Sequence, residues 1–395
     1  MKNSRFNIKI LLILVLFTVI NCKQNPATFS IDKFADWYIH PTDSVARAYT
    51  NIQKNTIDSF FRVLHRDSKS GSFCDTFHDS TGVPYLLGYS TPQKISSDTL
   101  YPLMIYLHGG TGTEDNNKGE KAYEMLKPLG DSMELFLASP SANRYCRWWD
   151  AAGLDRILQT VRYMSMKYPI DPRKIFLSGV SDGATGCWAA ANCINYPFAG
   201  FFAVSGFGGM LPQLGIMFTE NIKARPIYNV NAGKDRLYPI DIVNQFLDKA
   251  DSFGVNVFRK SYPEEEHGFD YRDKEYSTFY DYIRTWKLPD SNPIQWTFIP
   301  GVHNTAPHVV EWTTNEAADH RYVNGIFKDD TLLITSEGIG SITVCLPTDN
   351  NFIFVKTGKK AFKVHSTENG YLLLKALTSQ SVLIHSNNHF FKITF

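Results

Sequence analysis

Lys174-Ile175-Phe176-Leu177-Ser178 is an apolar run that breaks at Gly179-Val180-Ser181-Asp182-Gly183, and a helix-like stretch rich in small residues follows. No other feature of the chain restricts its fold so strongly. A turn that holds a serine in a strained conformation between a strand and a helix crowds its own backbone, so it needs glycine on both sides. The helix must then lie close against the strand. Ala184, Gly186 and Ala189 to Ala191 continue the small-residue pattern. Glycine-flanked serines also arise by chance, and Ser181 could simply cap a helix, so the surrounding sequence has to carry the assignment.

Upstream, Tyr101-Pro102-Leu103-Met104-Ile105-Tyr106-Leu107 reads as a buried strand running into His108-Gly109-Gly110-Thr111-Gly112. A backbone that must aim a free amide at a developing oxyanion needs glycine, because side chains would block the approach. Gly110 is therefore a candidate oxyanion donor, with the amide of Asp182 as the second. Downstream, Ile227-Tyr228-Asn229-Val230-Asn231-Ala232 leads into Gly233-Lys234-Asp235, and Val255-Asn256-Val257-Phe258 leads toward Glu266-His267-Gly268-Phe269. Asp235 is the preferred acid because it stands nearest a strand end; Asp241 and Asp248 are the alternatives, within an expected helix. Asp182 is excluded as the acid, since the neighbour of the nucleophile points away from the histidine. Serine, acid and histidine in this order, each just past a strand, resemble the α/β-hydrolase superfamily.

Within that superfamily the chain resembles bacterial esterases grouped near the dienelactone hydrolases, polyhydroxybutyrate depolymerases, feruloyl esterases and prolyl oligopeptidase-type hydrolases. The resemblance runs from about Pro84 to Pro289. It is carried by Pro84-Tyr85-Leu86-Leu87-Gly88-Tyr89, the His108-Gly109-Gly110 loop, the serine turn, Gly233-Lys234-Asp235 and His267-Gly268-Phe269. It implies an α/β fold with a mostly parallel sheet covered by helices, an acyl-enzyme on Ser181, His267 as base and no cofactor. Leu154, Ile157, Leu158 and Val161 at helical spacing fit such a strand and helix alternation. His108, Trp148 and Trp149 are candidate substrate contacts, with core packing as the competing account of the two tryptophans. His303, His308, His320, His365, His385 and His389, in the C-terminal region, stand at no metal-ligand spacing.

The ends of the chain read differently. Lys2, Arg5 and Lys9 precede an uncharged apolar run from Ile10 to Ile20, the length of a secretory core and too short to span a bilayer. Cys22 follows, resembling a bacterial lipoprotein signal, although Asn21 is bulkier than the residue usual before a lipidated cysteine. The expected product is an exported protein anchored by lipid on Cys22, periplasmic or at the cell surface, with plain secretion as the alternative. The expected organisation is a signal peptide over 1–21, a helical extension over 22–83, the hydrolase over 84–290 and a smaller all-β, sandwich-like domain over 291–395. Ile52, Ile57, Phe60, Phe61 and Leu64 form an amphipathic stripe in the extension. Beyond a linker-like Leu288-Pro289-Asp290-Ser291-Asn292-Pro293, short β-branched and aromatic runs at 331–335, 341–344, 352–355 and 371–374 alternate with Gly, Asn and Asp turns.

Composition narrows the partners. Net charge is +1, and no basic cluster is interleaved with aromatics, which gives no ground for nucleic acid or a charged membrane patch. The chain has six cysteines, and the five left after Cys22 are no disulfide framework, although Cys74 and Cys146 could pair. Cys187 and Cys193 read as small buried hydrophobes. The leading functional reading is a carboxylic-ester hydrolase acting on small-molecule or polysaccharide esters, acetyl and feruloyl esters among them. The alternatives are a serine peptidase of the prolyl oligopeptidase type, for which the stretch before the hydrolase strands is short, and a non-catalytic surface-binding protein.

Overall fold

The computed structural model describes residues 69–79, 81–96, 98–289, 294–301, 304–305, 308–315, 318–358, 360–367 and 388–395, together with 37–39, 41, 47 and 372. The leader, Cys22, the 52–64 stripe and most of 371–374 lie outside the described residues. The apolar runs of the central chain become the strands of one eight-stranded sheet: β1 (Ser72–His78), β2 (Pro84–Ser90), β3 (Tyr101–Leu107), β4 (Phe136–Pro140), β5 (Ile170–Val180), β6 (Phe198–Val204), β7 (Ile227–Ala232) and β8 (Val257–Tyr262). Their order across the sheet is β1-β2-β4-β3-β5-β6-β7-β8. β2 runs antiparallel to both β1 and β4, while every pair from β4 to β8 is parallel. Parallel strands joined by helices are covered on both faces, and β4, β6 and β7 accordingly are buried at every position.

Helices α1 (Gly119–Ala122), α2 (Lys127–Met133), α3 (Ala151–Lys167), α4 (Asp182–Cys193), α5 (Thr219–Ile222), α6 (Ile240–Ser252) and α7 (Arg272–Thr285) connect these strands. In α3, Leu154, Ile157, Leu158, Val161 and Met164 recur on one face and are fully buried. In α4 every residue from Gly183 to Cys193 is buried. A β-carbon on Gly183 would stand 2.0 Å from the carbonyl oxygen of Leu107 in β3, so only glycine lets this helix reach the sheet.

The sheet begins earlier than the expected boundary at Pro84. Ser72 to His78 pairs residue for residue with Pro84 to Ser90, and Asp79, just past β1, forms a buried ion pair of 2.7 Å with Arg156 of α3. The part of the expected helical extension from Ser72 onward is thus a strand of the eight-stranded sheet; its alternation of Phe73 and Phe77 with polar residues is a weak strand signal on a half-exposed edge. Cys74 is exposed and Cys146 buried, and both are free thiols.

The strands described in the C-terminal region form two sheets. β10 (Val309–Thr314), β13 (Ile339–Pro347) and β16 (Asn388–Thr394) form one sheet. β9 (Ile294–Thr297), β11 (Tyr322–Lys328), β12 (Thr331–Glu337), β14 (Phe352–Thr357) and β15 (Lys360–His365) form the other. Pairing is antiparallel except between β12 and β14. Trp296, Val323, Leu332, Ile342, Ile353 and Phe391 contribute to the apolar core of this region.

This region is bonded to the segments around the eight-stranded sheet through buried polar groups. The Asn221 side chain in α5 behaves as a strand edge: its Oδ1 accepts from the Thr297 amide at 2.8 Å and its Nδ2 donates to the Thr297 carbonyl at 2.9 Å. Asn221 Nδ2 also donates to the Asn192 carbonyl at 2.7 Å, and the Thr305 hydroxyl donates to the Tyr196 carbonyl at 2.6 Å. Removing the amide in Asn221→Ala leaves three buried backbone groups without this partner, so the variant should lose on the order of 4 kcal/mol in urea denaturation. A loss within experimental error of zero would mean that water substitutes for the side chain at the joint.

Candidate active site

β5, β7 and β8 end on the same edge of the sheet, and their following loops bring Ser181, Asp235 and His267 together. Ser181 sits between β5 and α4 with φ 57° and ψ −118°, a left-handed conformation that costs a non-glycine residue about 1–3 kcal/mol. His267 Nε2 lies 3.1 Å from Ser181 Oγ, and its Nδ1 lies 2.7 Å from Asp235 Oδ2. The other Asp235 oxygen accepts the amides of Leu237 and Tyr238 at 2.8 and 2.9 Å, so both carboxylate oxygens are engaged. The Asp235 side chain is fully buried, whereas the His267 side chain retains 25% of its exposure, enough for a small reactant to reach it. Asp241 and Asp248 both fall on α6, and Asp248 pairs with Arg259 instead.

The loop after β3 closes the other side of Ser181. At Gly109 an added β-carbon would stand 3.0 Å from Ser181 Cβ, which is why this position carries no side chain. Gly110 follows with φ +67°. Asp182 is the first residue of α4, where a backbone N–H has no carbonyl one turn back to bind and the helix dipole is positive. An amide in the first turn of a helix is a ready partner for a negative oxygen, the part expected of Asp182 together with Gly110.

The three expected substrate contacts are corrected by their burial. His108 is buried; its Nε2 accepts the Ala142 amide at 3.0 Å, so its proton resides on Nδ1, which donates to the Gly109 carbonyl at 2.8 Å. Trp148 is fully buried and donates its indole N–H to the His108 carbonyl at 2.9 Å, and Trp149 is also buried, with the Arg147 guanidinium over its ring. All three shape the loop from behind. Two neighbours give no sequence signal of a role. Tyr238 stacks on the His267 ring, centroids 5.7 Å apart, and meets Phe207 edge-on. Thr111 donates its amide and its hydroxyl to the Asp182 carboxylate at 2.7 and 2.8 Å.

The strand order, with its antiparallel second strand and a strained serine between β5 and the next helix, decides the fold. The fold is that of the α/β-hydrolases. A model of the dienelactone hydrolase family matches residues 145–287, the part of the domain that holds Ser181, Asp235 and His267. No curated protein matches the chain. Among solved structures, a thermostable esterase is similar at 20% identity and a TM-score of 0.43, covering 55% of this chain and 63% of its own. A fluorophosphonate-binding serine hydrolase of Staphylococcus aureus is similar at 15% identity and a TM-score of 0.45, covering 55% and 99%. An acylaminoacyl peptidase of Pyrococcus horikoshii is similar at 13% identity and a TM-score of 0.45, covering 59% and 44%.

Burial pushes the pKa of His108 down to about 4, against about 6.5 for a histidine in an unfolded chain. The unfolded hydrolase therefore binds a proton between these values that the folded one refuses. The stabilisation from neutral His108 is complete above pH 6.5 and is lost as pH falls through about 4. The urea midpoint of wild type should fall across this window more steeply than that of His108→Gln, followed by tryptophan fluorescence. Equal slopes would place the acid sensitivity on other groups.

Proposed function

We propose that the chain is a serine hydrolase that cleaves carboxylic esters through an acyl-enzyme on Ser181. The observation that carries this reading is the unbroken hydrogen-bonded series from Ser181 Oγ through His267 to Asp235, built on a strained turn beside two candidate oxyanion amides. A serine hydroxyl is a weak nucleophile near neutrality, so His267 Nε2 takes its proton as Oγ attacks the ester carbonyl. Asp235, held by two amides of its own loop, keeps the imidazole proton on Nδ1 and steadies the imidazolium. The amides of Asp182 and Gly110 receive the oxyanion, a contribution of about 3 kcal/mol per donor. His267 returns its proton to the leaving alcohol, and water then releases the acyl group by the same route.

Exposed apolar side chains on the loops that follow β6 and β7 support an acyl or aryl group of apolar character. Met210 and Leu214 stand exposed on the loop after β6, and Leu237 on the loop after β7. Phe207 and Tyr238 add aromatic surface between these loops. Feruloyl and other aryl esters of polysaccharide, together with simple acetyl esters, are the substrate class this suggests, and Cys22 is the proposed lipid anchor that would hold the exported enzyme on a bacterial membrane, in the periplasm or at the cell surface.

Ser181→Ala should reduce ester turnover by up to about a million-fold, because serine and histidine act as one unit. A fluorophosphonate should label wild type at Ser181 and leave the variant unmodified. Asp235→Asn should slow turnover about ten-thousand-fold by mis-setting the imidazole proton, whereas Asp241→Asn and Asp248→Asn should match wild type. A panel of p-nitrophenyl acyl esters, acetylated and feruloylated sugars and peptide amides tests the bond cleaved. Amide turnover exceeding ester turnover would replace the esterase reading with the peptidase one.

The anchor has its own test. Wild type expressed in a bacterial host should partition with membranes, and Cys22→Ala should escape lipid modification. Wild type found wholly soluble, with a mature N-terminus other than Cys22, would remove the anchor and leave the hydrolase untouched.

A further inference from the structure

We propose that the Asp182 side chain is a positioning residue that locks the two oxyanion donors into one rigid frame, a role distinct from that of its own amide and resting on the serine-hydrolase reading above. Asp182 heads α4 beside Ser181, while Thr111 belongs to the loop after β3. One carboxylate oxygen, Oδ2, accepts both the Thr111 amide at 2.7 Å and the Thr111 hydroxyl at 2.8 Å. Two bonds converging from one residue onto one oxygen fix that residue in rotation as well as in place, and Thr111 is 1% exposed. Gly110, the loop donor, is covalently joined to Thr111 and shares its restraint. On its other side the loop is wedged at Gly109 against Ser181. The loop is thus pinned at both ends to the turn that carries the nucleophile.

A carboxylate near a developing oxyanion is electrostatically adverse, so its presence calls for a compensating gain. The two Thr111 donors, the positive first turn of α4 and the Lys118 ammonium bonded to the Gly110 carbonyl all offset its charge. The gain is geometric. Oxyanion donors are effective because they need no reorientation when charge appears, and a loop free to turn its amide toward water would forfeit that advantage only in the transition state. Losing the clamp should therefore lower kcat and leave KM alone.

The test uses the full chain and an ester that wild type turns over. Asp182→Ala should lower kcat by about 10- to 100-fold, part of the effect of removing a donor outright, with KM within about twofold of wild type. Affinity for a trifluoromethyl ketone analogue should fall in parallel with kcat. Thr111→Val should show a smaller loss, because its amide still bonds, and the double variant should be no worse than Asp182→Ala, since both act through the same contact. Asp182→Asn, which keeps an acceptor oxygen, should recover most of the loss. Wild-type kcat in Asp182→Ala, or a defect confined to KM, would overturn the clamp. If Asp182→Ala does not fold, Thr111→Val and Asp182→Asn decide: additive losses in their combination would overturn the proposal. Wild type that turns over ester but is never labelled at Ser181 would overturn the serine-hydrolase reading instead.

Discussion

The closeness of α4 to the sheet sets the terms for everything around it. At Gly183 there is no room for a β-carbon before the carbonyl of Leu107, and the rest of the helix meets β3, β5 and β6 through alanine, glycine and cysteine. A helix brought this near can be reached from β5 only by a sharp turn, and the turn forces Ser181 into positive φ. The same turn leaves the Asp182 amide at the head of the helix, in its first turn. Strain, helix dipole and first-turn amide are therefore three results of one steric condition, and the cost of the strained serine is met by the apolar contacts of a helix buried along its length.

Much of this is legible in the order of the amino acids, for a definite reason. Steric demands leave marks on the residues that meet them, so the glycines flanking Ser181 and the uninterrupted apolar run of β3 announce strand, turn and helix. The choice of Asp235 over Asp241 and Asp248 rests on distance from a strand end, and the latter two do fall on α6. What stays hidden depends on partners remote in the chain. Thr111 and Asp182 are 71 residues apart, and although each stands in a glycine-rich motif, nothing in either motif says that their side chains meet. The paired tryptophans look available because their burial is decided by α4 and the His108 loop, which sequence does not place. β1 escapes notice because an edge strand half open to solvent carries only a faint alternation.

The joint between Asn221 and Thr297 changes how the chain can be regarded as a collection of parts. Leu288 to Pro293 has the composition of a tether, yet on either side of it the two regions exchange backbone and side-chain hydrogen bonds out of contact with water. Such a joint is not portable. A different β domain spliced after Asp290 would bring its own backbone spacing and leave the amide of Asn221 and the carbonyls of Cys193 and Tyr196 facing mismatched surface. Recombination that treats the two regions as interchangeable cassettes should accordingly yield insoluble chimaeras, unless residues on the hydrolase side travel with the domain they recognise.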